Sequence, residues 1–141
     1  MKILGINHVG LAPKDPIKAN WFFKEALKIR YQGAELIASQ KTNTHIFSPE
    51  VGSACGGLLE VLENQPGEDG PVQSFIEKRG GGIHHIALDV ADIVEAINHL
   101  LGLGVEMIDL EPRYGACNTK IAFVHPRSTG GLLVELVESS K

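Results

Sequence analysis

The sequence predicts an α+β fold built from two tandem βαβββ modules, and three observations carry that prediction. The run GGLLEVLE (56–63) returns almost unchanged as GGLLVELVE (130–138). The run INHVGLAPKDPIKA (6–19) aligns with IHHIALDVADIVEA (83–96), matching His8 to His85, Leu11 to Leu88, Asp15 to Asp92 and Ala19 to Ala96. Each half also alternates short apolar, strand-like runs with one helix-like segment, so a single design is stated twice.

Each copy opens on a short apolar strand and continues into a helix. In the first copy Asp15 is the expected N-cap and Pro16 the first helical residue, followed by Ile17, Trp21, Phe22, Ala26 and Leu27. An aspartate can accept the N–H bonds left over at a helix start, and proline at the first position loses nothing by lacking its own N–H. Trp21, Phe22 and Phe23 are read as helix core packed on a sheet. In the second copy Asp92 caps Ile93, Val94, Ile97, Leu100 and Leu101, with Gly102 and Gly104 as the stop. Strands follow at THIFS (44–48) and GLLEVLE (57–63) in the first copy, and at VEMI (105–108), TKIAFVH (119–125) and GLLVELVE (131–138) in the second. The intervening QPGEDGPVQSFIEKRGGG (65–82) is turn-rich, with one short helix expected from Pro71 to Arg79 and flexible linkage at the glycines. The organisation is one domain over 1–141: module one at about 1–66, a linker helix at about 67–81 and module two at about 82–141.

A chain of 141 residues, 43% of them apolar, buries about two-thirds of its unfolded surface and needs no covalent staple. The formal charge of -4 comes with no basic stripe for nucleic acid and no polybasic run for lipid. The first residues lack the long apolar core of a signal peptide, and no run approaches the length of a membrane span, so a cytoplasmic protein is expected. Cys55 and Cys117 are too few and too scattered for a disulfide framework or a thiolate zinc site, and are expected to be reduced.

The repeat sets a glutamate inside each of two apolar runs. Alternate residues of a strand share a face, so Leu58, Glu60 and Leu62 point together, as do Leu133, Glu135 and Val137. An ionised carboxylate withdrawn from water costs several kcal/mol unless something positive meets it, and neither run carries a lysine or arginine. A cation would meet that need. His8 and His85 also sit in apolar strands, and one imidazole and one carboxylate from each half make an N₂O₂ donor set suited to manganese, cobalt, nickel or zinc. Taken singly, a strand histidine is more often a hydrogen-bonded core residue, and a strand glutamate more often faces solvent. Recurrence of all four at matching places is what favours a metal site. By the same alternation His84 falls to a supporting or surface position, and Glu63 and Glu138 to solvent.

These residues resemble the vicinal oxygen chelate superfamily, and within it the methylmalonyl-CoA epimerase branch. The likeness runs along nearly the whole chain and is densest in INHVGLAPKD (6–15), FIEKRGGGIHHIALDV (75–90) and DLEPRYGACNTKIAFVHPRSTGGLLVELVE (109–138). The resemblance implies an open, cupped sheet around a divalent metal, with His8, Glu60, His85 and Glu135 at the ligand positions. It further implies an isomerase acting on methylmalonyl-CoA or a similar acyl-CoA thioester through a metal-stabilised enolate, with Glu135 as ligand and acid–base group. Relatives commonly form homodimers, and a homodimer is expected here. The family's second base is a glutamate on the hairpin before the THIFS-like strand, where this sequence aligns Ser39. A serine is no base near neutral pH, and Glu35, His45 and Glu50 are the neighbouring groups able to act in its place. Two rival readings share the ligand quartet or the fold: a glyoxalase I-type lactoylglutathione lyase, and a non-catalytic binder of small ligands. Ser128, in the turn HPRSTGG (125–131), is a further candidate substrate contact, and the glycines at 80–82 lack the strand-then-helix setting of a phosphate cradle.

Overall fold

The computed structural model describes residues 1–49 and 57–139. Glu50 and Cys55 lie outside the described residues. The strands are β1 (Ile3–Ala12), β2 (Arg30–Ile37), β3 (Thr42–Ser48), β4 (Leu58–Asn64), β5 (Gly82–Val90), β6 (Arg113–Tyr114), β7 (Lys120–Val124) and β8 (Val134–Glu138). The α-helices are α1 (Pro16–Trp21), α2 (Pro71–Arg79) and α3 (Ile93–Gly102). This is the expected α+β class, with β-α-β-β-β wired twice. Among the described residues no helix is long and apolar enough to cross a membrane.

The chain divides into two compact units, His8–His84 and Met1–Asn7 with His85–Lys141. In the first, strands run in the order β2-β3-β4-β1, with β1 parallel to β4 and the other neighbours antiparallel. In the second, the order β6-β7-β8-β5 repeats that wiring, with β5 parallel to β8. The first residues of the chain are fastened to the second unit: the Ala91 N–H donates to the Lys2 carbonyl at 3.1 Å, and Asn7 Nδ2 donates to Asp89 Oδ1 at 2.9 Å.

Both helix starts form as the aspartates predict. Asp15 Oδ1 accepts the Lys18 N–H at 3.0 Å, and Asp92 Oδ1 accepts the Glu95 N–H at 2.9 Å. Helix α3 then buries Ile93, Ala96 and Ile97 against Val90, Met107, Ala122, Val124 and Leu136, which form the main core of its unit. Asp92→Ala is expected to cost about 1 kcal/mol, the usual worth of an N-cap, measured as a lower denaturation midpoint at unchanged m-value.

Four sequence expectations are corrected. Trp21 and Phe22 are not core: they are 59% and 46% exposed, and Ile17 is 81% exposed. Helix α1 is only six residues long and passes into a π-helical turn over Phe22–Ala26, closed by the Leu27 N–H on the Phe22 carbonyl at 2.9 Å. The wider turn breaks the 3.6-residue phase, and Phe23 alone of the three aromatics packs inward, on Phe47 with ring centroids 5.6 Å apart. The expected strand at 105–108 shrinks to one bridge between Met107 and Val124, and β6 forms at Arg113–Tyr114 instead. Here the Asp109 carboxylate takes the Phe123 N–H at 2.9 Å, and the Ile108 and Asp109 N–H groups converge on the Phe123 carbonyl, so the ladder cannot continue.

The glycines at 80–82 are not loose linkage. Gly80 ends α2 in the left-handed region, donating to the Ile76 carbonyl at 2.8 Å, and a Cβ on Gly81 would stand 2.9 Å from the Ala12 carbonyl oxygen. Glu63 and Glu138 are partnered instead of merely solvated. Glu138 Oε2 accepts the Ile93 N–H at 2.8 Å, satisfying a first-turn donor of α3 from another strand. Glu63 Oε2 lies 2.9 Å from His45 Nε2, and His45 Nδ1 lies 2.9 Å from the Tyr31 hydroxyl.

Candidate metal centre

In the first unit, the parallel pairing of β1 with β4 sets Gly10 opposite Glu60 and His8 opposite Leu58. A glycine opposite the carboxylate leaves its rung open, and the imidazole two residues earlier reaches across the diagonal. His8 Nε2 meets Glu60 Oε2 at 2.5 Å, with the two residues 6% and 5% exposed. The second unit repeats the device with a residue nearly as small. Ala87 stands opposite Glu135, and His85, two residues before Ala87, brings its Nε2 to 2.9 Å from Glu135 Oε2. His85 and Glu135 are 5% and 4% exposed.

The structure therefore brings each predicted histidine together with its predicted glutamate, through the same rung geometry in both halves. A carboxylate oxygen and an imidazole nitrogen at such distances share either a proton or a cation. Nitrogen and oxygen donors withdrawn from water are the first-row divalent donor type, and each pair fits half of such a coordination shell.

Ser39 is exposed on the 3₁₀ turn Ala38–Gln40 that joins β2 to β3. Glu35 is half-buried on β2, opposite Thr44. His45 pairs with Ala34 and Val61 and so projects from the other side of the sheet from Glu60, towards Tyr31 and Glu63. His84 packs edge-on against Phe75, centroids 4.9 Å apart. Ser128 Oγ accepts the Glu106 N–H at 2.8 Å and so ties this turn to the 105–108 segment.

One residue of interest was not foreseen from the sequence. The Arg113 guanidinium lies 5.4 Å from the Phe123 ring centroid, and Phe123 in turn meets His85 edge-on at 5.7 Å. Its Nε is 3.2 Å from Asp109 Oδ1. The register Arg113↔Ile121 and Phe123↔Glu135 puts Arg113 on the same face as Glu135.

Two copies of βαβββ, each with a buried His–Glu pair at the same rung, define a class. The chain belongs to the Glyoxalase/Bleomycin resistance protein/Dioxygenase superfamily, which it matches over residues 7–123. Among its relatives, the ethylmalonyl-CoA/methylmalonyl-CoA epimerase of Cereibacter sphaeroides is 34% identical over 133 residues, covering 93% of this chain and 95% of that one. The Bacillus subtilis protein YqjC, of uncharacterised function, is 38% identical over 133 residues, covering 94% and 91%. A structure of Streptomyces coelicolor methylmalonyl-CoA epimerase, a variant in complex with 2-nitronate-propionyl-CoA, superposes with a TM-score of 0.89 at 28% identity, covering 99% of this chain and 96% of that one.

Proposed function

We propose that this protein is a metal-dependent epimerase of methylmalonyl-CoA or a similar 2-carboxyacyl thioester, with His8, Glu60, His85 and Glu135 as ligands of one divalent ion. The observation that carries the reading is the duplicated His–Glu rung, present in full in a chain whose full-length relatives include methylmalonyl-CoA epimerases. A non-catalytic binder has no need to keep four buried ionisable groups, whose burial is costly without a partner.

A divalent ion held by these residues supplies Lewis-acid stabilisation of the negative charge that develops on the thioester oxygen. The chain's own contribution is to position and move protons. Glu135 removes the proton from the carbon between carboxylate and thioester: the C–H bond breaks, the proton passes to the Glu135 carboxylate, and the electron pair moves into the thioester carbonyl. Reprotonation from the opposite side gives the other epimer. Burial of Glu135, with His85 beside it at 2.9 Å, holds the carboxylate in a fixed position.

Metal-loaded protein incubated in deuterated water with methylmalonyl-CoA is expected to exchange the α-proton and scramble configuration. The same protein with the methylglyoxal–glutathione adduct is expected to make no lactoylglutathione; the reverse result establishes the lyase, and inertness on both with retained ligand establishes a binder. We further propose a cytoplasmic homodimer, for which light scattering should return twice the 15.2 kDa chain mass.

A further inference from the structure

We propose that Glu35 is the second acid–base group of this site, an assignment that rests on the epimerase reading. Inversion at a carbon requires a proton to leave one side and another to arrive on the opposite side. A single carboxylate held on one side performs exchange without inversion unless the substrate turns over within the site.

The β2–β3–β4 ladder fixes which side chains can join Glu60 on its face. One rung runs Gly33↔Ile46↔Glu60, and the rung two residues along runs Glu35↔Thr44↔Leu62. Side chains alternate with period two, so Glu35 and Glu60 project from the same side of the first unit. Two strand spacings across and two residues along put their Cα atoms roughly 12 Å apart, a span that two glutamate side chains and a small acyl group fill. Thr44 and Ile46 of β3 stand between them on this face, and Gly33, on Glu60's own rung beside Glu35, adds no side chain, with nothing within 4 Å of where its Cβ would be.

The remaining residues of that face in β2, β3 and β4 include Ile37, Thr42, Thr44, Ile46 and Leu62, none of which titrates near neutral pH. Arg30, opposite Ser48, also shares this face, and among the described residues of β2, β3 and β4 Glu35 is its one carboxylate besides Glu60. His45 is excluded because it projects from the other side with both ring nitrogens engaged, and Ser39 because it is an exposed hydroxyl on the turn beyond Ile37. Half-burial of Glu35 leaves it a route for exchanging its proton with water. The duplicated position in the second unit is Arg113, on the rung Arg113↔Ile121↔Val137 two residues along from Phe123↔Glu135. The repeat thus supplies one acid at this rung, and the halves diverge where an asymmetric reaction needs them to.

The test uses the two separated epimers of methylmalonyl-CoA in deuterated water, with metal-loaded wild type, Glu35→Gln and Ser39→Ala. Glu35→Gln is expected to slow interconversion roughly 100- to 10,000-fold, the worth of a positioned acid–base group. It should still exchange deuterium into one epimer without inversion, through Glu135, and bind metal with wild-type stoichiometry; Ser39→Ala should interconvert the epimers at the wild-type rate. An active wild type whose Glu35→Gln variant still interconverts them overturns the Glu35 assignment alone. Loss of exchange in both epimers together with loss of metal also overturns it, by showing a structural role. A wild type inert on both epimers sinks the epimerase reading and Glu35's role with it.

Discussion

Glu135→Gln is expected to eliminate α-proton exchange in one epimer of methylmalonyl-CoA and to lower interconversion by about 100- to 10,000-fold, the range for removing a positioned proton acceptor. The glutamine has nearly the same shape and keeps one carbonyl oxygen, so it can still ligate while losing the ability to take a proton. The variant therefore separates two roles that Glu135→Ala would remove together. Metal stoichiometry should stay at wild type and the other epimer should still exchange. Retention of full epimerase activity in metal-loaded Glu135→Gln would remove Glu135 from the proton path, whatever its part in holding the ion.

His85→Ala is expected to have its largest effect on metal-linked stability. An ion that binds only the folded chain stabilises it by RT ln(1 + [L]/Kd), about 4 kcal/mol at a thousandfold excess over Kd, or roughly 12 °C for a chain of this size at about 3 °C per kcal/mol. Wild type is expected to show that gain with one ion per chain, and EDTA to reverse it. If all four donors serve one ion, His85→Ala and His8→Ala each remove most of the gain. Two ions per chain, with each variant keeping one, would mean that the His8–Glu60 and His85–Glu135 pairs act separately. Even without metal His85→Ala is destabilising, because it leaves the 4% exposed Glu135 without the imidazole 2.9 Å away.

The four candidate donors stand out in the sequence because residue type, strand alternation and recurrence in the repeat coincide on them, and the structure shows them as two buried His–Glu pairs. The helix caps were legible because an N-cap is a local device, spanning the four residues from Asp15 to Lys18 or from Asp92 to Glu95. The aromatic cluster at 21–23 misled because a π turn changes the helical phase without leaving a mark on composition. Strand β6 was misplaced because VEMI has the right residue types, while Asp109 occupies the Phe123 N–H that a ladder there would need. Glu138 looked like a solvated residue at the odd position of a strand, yet its partner is the start of a helix 45 positions away in sequence.

The sequence by itself determined the duplication, the α+β class, the two capped helices and the four candidate donors, since each depends on residue identity and on periodicity within a few positions. Tertiary structure alone decided that Glu35 shares a face with Glu60 while His45 does not, that Arg113 lies over Phe123, whose ring meets His85 edge-on, and that Glu138 holds the first turn of α3. The physical reason is register. A strand's own pattern says which residues alternate, but a pairing with a distant strand, shifted by the bulge between Tyr31 and Gly33, decides which of them meet.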